Sequence, residues 1–149
     1  MTVKDARKRL EEGLARVGLR PTRQRTAVFD FLASSTEHPT AEEIFSGTRL
    51  EMDTISLATV YNCLETLVDC GLVQAVHNGR QPTRYCANAC LHAHFHDLDT
   101  GRVTDVILAP EAVQYLRSLV PPSSTVEGME LNFTGRRKQN NHPQTKDPD

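Results

Sequence analysis

The chain has 149 residues, 38% of them hydrophobic, no tryptophan and a formal net charge of −2. That length allows one ordinary domain or two small ones with a modest, mostly aliphatic core. No apolar run approaches the roughly 18 residues of a membrane span. The charged opening "MTVKDARKRLEEGL" lacks the apolar stretch of a secretory signal. A cytoplasmic protein is expected, whose four cysteines stay reduced and serve packing, metal or redox chemistry. Charge is uneven: residues 1–25 hold eight Lys or Arg against three acids, a local +5. This suits an anionic partner, although a solvated helix face explains the same pattern.

In chain order, residues 3–17 have helical spacing, with Leu10, Leu14 and Val17 on one face and Gly18 as the stop. After "LRPT", Thr22 can cap a second helix, "RQRTAVFDFLASS", with Val28, Phe29, Phe31 and Leu32 inward. Thr40 and Glu43 form a capping-box pattern that starts "AEEIFSGTRLE". Ser56 can cap a fourth helix, "LATVYNCLETLVDCG", with Val60, Leu64 and Leu67 buried, Cys63 and Cys70 as packing residues and Gly71 as terminator. "LVQAVHN" and "TRYCAN", joined by "GRQP", read as a β-hairpin. Helices followed by a hairpin make the winged-helix plan, in which the helix before the wing enters the DNA major groove.

The second half reads as strand "HAHFHDL", strand "RVTDVIL", helix "PEAVQYLRSLV" opened by Pro110, and strand "TVEGMELNFTG". So small a unit has little core of its own and is expected to bury a face against a second copy. The polar residues 137–149 lack apolar periodicity and read as a disordered tail. The fold class is therefore α+β: a winged-helix DNA-binding domain over 1–87 and an α/β dimerisation and metal-sensing domain over 88–136. No internal repeat is present.

A groove-reading helix needs short polar and aromatic side chains in its first turns. Ser56, Ala58, Thr59, Tyr61 and Asn62 supply them, and the Asn62 amide matches adenine. Arg20, Arg23 and Arg25 stand where phosphate oxygens would lie. In "CLHAHFHDLD", His92 and His94 are two apart and project from one strand face. Imidazole with carboxylate suits iron(II), manganese(II) or zinc, and a nearby thiolate shifts the preference toward zinc. Cys86 alone reads as a small buried hydrophobe, and His38 alone reads equally as a surface or capping residue or as a ligand. His77 and His142 read as surface residues.

"GLRPTRQRTAVFDFL", "HPTAEEIF", "ISLATVYNCLETLVDCGLV", "RYC" and "HAHFHDLDTGRVTDV" occur in one order. Over about residues 5–135 the chain resembles the ferric uptake regulator family of bacterial metal- and peroxide-responsive repressors. The resemblance implies a homodimer that binds double-stranded DNA at a pseudo-palindromic operator. It also implies one regulatory divalent metal per subunit, zinc or iron(II) with manganese(II) as a third candidate. The site it implies is His38, Cys86, His92, His94 and Asp105, with thiol replacing the family's usual carboxylate at Cys86. Cysteine there resembles the zinc-uptake subgroup, which often adds an acid on the first wing strand, where Gln74 stands here.

The family's structural zinc uses a C-x-x-C after the H-x-H strand. Asp97 and Thr100 occupy those places, and no later cysteine follows, so no structural Cys₄ zinc is expected. Leu91 and Ala93 stand at a further metal site of the family and cannot ligate. His96 shares the parity of the pair and is either a supplementary ligand or, as expected here, an exposed polar residue, with Cys90 as a possible competitor to Cys86. Members without the cysteine pairs include haem sensors, so peroxide- and haem-responsive regulators remain alternatives. A small zinc hydrolase with Asp97 or Asp99 as base is a remote one, because it leaves the winged helix unexplained.

Overall fold

The computed structural model describes residues 2–138. Four helices form first, each started by the hydroxyl that the sequence offers. In α1 (Val3–Ala15), Thr2 accepts from the Asp5 N–H, and the Asp5 carboxylate returns to the Thr2 N–H. Thr22 caps α2 (Arg23–Ser34) and Ser56 caps α4 (Leu57–Asp69) in the same manner, while Thr40 and Glu43 build a second capping box on α3 (Ala41–Thr48). Each cap satisfies an N–H that has no partner inside its helix and stabilises by about 1 kcal/mol. Gly71, with φ +73°, turns the chain out of α4 through a conformation open to glycine at no steric cost.

Leu10 and Leu14 of α1, Val28 and Phe29 of α2, Ile44 of α3, and Val60, Leu64 and Leu67 of α4 close a single core, all at 1% exposure or less. Burial of each such side chain stabilises by roughly 1.5–3 kcal/mol. Two residues depart from the expected faces. Helix α1 stops at Ala15, so Val17 lies beyond its periodic face and is half exposed. Phe31 packs at the margin of the core, its ring against Gly47 of α3.

The wing is short. Strand β1 (Gln74–Val76) pairs antiparallel with β2 (Arg84–Cys86), Gln74 opposite Cys86. The outer edge of β2 is tied to the start of α3 by a bridge between Thr40 and Arg84 and by the Tyr85 N–H donating to Pro39 O at 2.9 Å. The chain leading into α3, which carries His38, is thereby fastened to the strand that ends in Cys86.

A second sheet follows, in the order β4-β3-β5. Strands β3 (His92–Asp97) and β4 (Val103–Ile107) pair antiparallel through a turn containing Gly101, at φ +71°. Strand β5 (Asn132–Gly135) lies parallel to β3 and so runs antiparallel to β4; the connection from β4, which carries α5 (Pro110–Ser118), therefore passes β3 at one end of the sheet. The last strand is much shorter than the alternation over 125–135 suggested, because only 132–135 reach a partner.

No residue of α5 is buried, and Tyr115, Leu119 and Phe133 are 65%, 63% and 45% exposed. Among the described residues the second half thus keeps large apolar side chains exposed. Among the described residues no helix is long and apolar enough to cross a membrane. Of the expected tail, residues 139–149 lie outside the described residues, and with them His142. Arg137 is described, and its guanidinium donates to Thr104 Oγ1 at 2.9 Å.

Candidate metal centre

The pleat of β3 puts His92, His94 and His96 on one side, and that side faces the winged helix. All three are buried. His94 sits opposite Asp105 in the β3–β4 register, so Asp105 shares that face. His38 arrives from the α2–α3 connection and Cys86 from the end of β2. The five expected site residues therefore meet: one donor atom from each of His38, Cys86, His92, His94 and Asp105 lies within 4.8 Å of all the others.

The contacts are close. Asp105 Oδ1 lies 2.7 Å from His38 Nε2, 3.2 Å from His92 Nε2 and 3.5 Å from His94 Nε2. The Nε2 atoms of His92 and His94 are 3.0 Å apart, and Cys86 Sγ is 3.5 Å from His92 Nε2. Two imidazole lone pairs at such a distance repel unless a proton or a cation lies between them. Adjacent donors on an ion at zinc–nitrogen bond lengths stand roughly 3 Å apart. The spacing of the five donors thus fits a first-row divalent ion. A cavity of about 250 Å³, bordered by Ser35, His38, Asn88 and Asp105, gives access to it.

Surrounding contacts orient these donors. His92 Nδ1 donates to Cys90 O, which fixes the tautomer and leaves Nε2 with its lone pair toward the cluster. Asn88 donates from its backbone N–H to Cys86 Sγ at 3.4 Å and from its side chain to Asp105 Oδ2 at 2.9 Å. Arg84 Nη1 donates to His38 O at 2.8 Å. The Nδ1 atom of His38 is buried with no partner among the described residues.

Burial, and then the neighbouring rings of His92 and His38, push the His94 pKa down to about 4. Burial drives the Cys86 thiol up to about 11, against the opposing Asn88 N–H. Burial works against the charged form of Asp105. Hydrogen bonds from Asn88 and His38, with the nearby imidazoles, nonetheless hold its carboxyl below the ordinary value. At neutral pH the cluster offers neutral His94 and a charged carboxylate, the forms that ligate.

His96 is a correction. It is 3% exposed, its Nε2 donates to Asn132 Oδ1 at 2.9 Å, and its Nδ1 is buried with no partner among the described residues. Pairing of β5 against β3 covers it, a long-range event that strand parity alone does not reveal. His96 is not among the five clustered residues. Cys90 is exposed and joins through its backbone only. Cys63 lies in the core, Cys70 packs against it, and His77 is exposed. Asn88 and Arg84 were not singled out in the sequence, where neither carries a ligand signature.

On α4, Ala58, Tyr61 and Asn62 are exposed beside the exposed cap Ser56. Thr59 is half-buried, its hydroxyl 2.8 Å from that of Ser56. The Tyr61 hydroxyl donates to Glu42 at 3.2 Å. Arg20 and Arg23 are exposed, while Arg25 is partly covered and donates to Arg20 O at 3.0 Å.

Comparison with known proteins agrees with this architecture. The peroxide-responsive repressor PerR of Staphylococcus aureus (strain Mu50) is 36% identical over 99 residues, 64% of this chain and 67% of that protein. The ferric uptake regulator Fur of Helicobacter pylori shares the fold at a TM-score of 0.73 and 22% identity, over 93% of each chain. A zinc-bound manganese uptake regulator aligns at a TM-score of 0.62 and 26% identity, over 87% of this chain and 98% of that one. Residues 16–117 match the ferric uptake regulator family as a whole. This chain, with its winged helix, its small sheet and its buried cluster of imidazole, thiol and carboxylate, belongs to the ferric uptake regulator family of metal-responsive transcriptional regulators.

Proposed function

We propose that this chain is a homodimeric cytoplasmic repressor in which one divalent ion per subunit, zinc or iron(II), favours operator binding. His38, Cys86, His92, His94 and Asp105 are its ligands. Residues 1–87 bind DNA, with the α4 face from Ser56 to Asn62 in the major groove and Arg20, Arg23 and Arg25 on phosphates. Residues 88–136 dimerise and sense. The observation that carries this reading is the convergence of five donor atoms within 4.8 Å from four separate segments of the chain.

Bound there, the ion supplies charge and directional bonds that no protein contact in the cluster replaces. The rest is done by the chain. His38 belongs to the segment entering α3 and Cys86 to the wing, whereas His92, His94 and Asp105 belong to the second sheet. Fixing all five sets the angle between the halves and hence the spacing of the two α4 helices in a dimer. A pseudo-palindromic operator rewards one such spacing. Metal and DNA then favour the same conformer, a coupling typically of about 1–3 kcal/mol. Thiolate and imidazole together favour zinc over manganese(II).

A titration of the metal-free dimer on operator DNA, followed by fluorescence anisotropy, tests this. Zinc or iron(II) is expected to tighten binding roughly 5–150-fold. The double variant His92→Ala/His94→Ala is expected to lose the response. DNA affinity indifferent to zinc, iron(II), manganese(II) and haem alike would overturn the reading. The similarity to a peroxide-responsive repressor favours one second reading, oxidation of a ligand histidine by peroxide at bound iron. A one-oxygen adduct on the peptide carrying His92 and His94, formed only with iron(II) and peroxide, would select it.

A further inference from the structure

Asn88 belongs to no secondary-structure element and is exposed, yet it touches the cluster at two places. The direction of its side-chain amide is fixed by chemistry. The Cys90 N–H can only donate, and it reaches Asn88 Oδ1 at 3.1 Å. The oxygen end is therefore engaged, and the amino end must be the one that donates to Asp105 Oδ2 at 2.9 Å. The other oxygen, Oδ1, is the one that faces His38, His92 and His94. The same short loop holds Cys86 through the Asn88 N–H and sets the His92 tautomer through Cys90 O. Three of the five donors take their orientation from it.

We propose that Asn88 sets the ion preference of the site by occupying Asp105 Oδ2, so that Asp105 offers a single oxygen and the donor count stops at five. This rests on the metal reading above. Zinc is satisfied by four or five donors and tolerates a thiolate. Manganese(II) is harder and favours octahedral, oxygen-rich surroundings. A carboxylate can coordinate through both oxygens when the second is released. Loss of the Asn88 side chain frees a sixth, hard donor at the point where the site has none to spare. Asn88 is thus a specificity-determining residue that acts through Asp105.

The test compares the unaltered chain with Asn88→Leu, which keeps the branched side-chain shape and the backbone N–H to Cys86 but lacks the amide. Zinc and manganese(II) affinities are measured by competition with a chromogenic chelator, and cobalt(II) serves as a spectroscopic probe. The zinc-to-manganese affinity ratio is expected to fall about tenfold, in the range typical of contacts that support a ligand. The visible cobalt(II) bands are expected to weaken as coordination rises from four or five toward six. Asn88→Ala, which leaves the exposed loop with less to accommodate, must give the same shift. Equal losses for both ions with an unchanged cobalt(II) spectrum would overturn the proposal and leave Asn88 a loop-holding role. Failure of the unaltered chain to bind either ion would instead overturn the metal reading, and the proposal with it.

Discussion

His38 Nε2 lies 2.7 Å from Asp105 Oδ1, a contact between residues 67 apart in sequence. It joins the segment entering α3 to the second sheet. The neighbouring pair Glu37–Arg102 also links these parts at 2.9 Å, but both side chains are more than 60% exposed. Exposed pairs contribute little, about 0–1 kcal/mol. Coupling between metal and DNA should therefore run through the two donors of the winged-helix half, His38 and Cys86. The variant His38→Ala is expected to bind zinc through the remaining four donors with lower affinity, and zinc should then tighten its DNA binding less than it does for the unaltered chain. Glu37→Gln should leave the coupling intact. Anisotropy titrations with and without zinc measure both, and a full zinc response in His38→Ala would refute the assignment.

The metal-free protein should lose stability at both ends of the pH scale. The His94 pKa is pushed from 6.5 down to about 4 on folding, so between those values the unfolded chain binds a proton that the folded chain refuses. Stability must then fall as pH drops through that window. The Cys86 pKa is pushed from 9.0 up to about 11, so between those values the unfolded thiol ionises first. Stability must fall as pH rises there. Urea unfolding midpoints in the presence of a chelator trace the curve. His94→Gln should flatten the acid limb and Cys86→Ser the alkaline one; limbs that survive these changes would count against the assignment.

Much of this was legible in the sequence because it is local. Hydroxyls at Thr22, Thr40 and Ser56 announce helix starts through short side-chain-to-backbone bonds, and the spacing of Val60, Leu64 and Leu67 marks a buried face. The pair His92 and His94 follows from strand parity. What depended on pairing between distant segments was not legible. His96 looked exposed until β5 covered it, and Asn88 carried no ligand signature because its partners Cys86 and Asp105 are brought to it by the fold. The length of β5 is set by its register on β3, not by the alternation of its own residues.

On the DNA side, base-reading and phosphate-holding residues should separate by their dependence on sequence and salt. Asn62 is exposed on α4 with an amide suited to adenine. Asn62→Ala is expected to cost about 1–3 kcal/mol on the operator and little on unrelated DNA. Arg23→Ala should weaken both equally and lower the salt slope by about 1. Arg25→Ala should change the slope less, because that guanidinium already donates to Arg20 O. Zinc affinity should not move in any of the three. Anisotropy at several salt concentrations reads these effects, and an Asn62→Ala loss that is equal on all DNA would remove Asn62 from the base-reading face.

The open apolar face makes a separate claim about assembly. Phe133 of β5 stands opposite Phe95 of β3 in the parallel register, so both side chains leave the sheet on the side away from the histidines. Among the described residues nothing fully covers Phe133, Tyr115 or Leu119, and α5 buries no residue. An apolar surface of this kind is the usual mark of a docking site, and here a second copy would supply the missing layer. Phe133→Asp places a charge where that layer would close, and the cost of burying it unpaired should exceed what the interface can spare. Sedimentation velocity is expected to show a dimer for the unaltered chain and a monomer for the variant, with the same helix content by circular dichroism. Zinc affinity per chain should be retained, since all five donors come from one subunit. Operator affinity should fall steeply, because two half-sites are no longer held together. A variant that stays dimeric would place the interface elsewhere on the molecule.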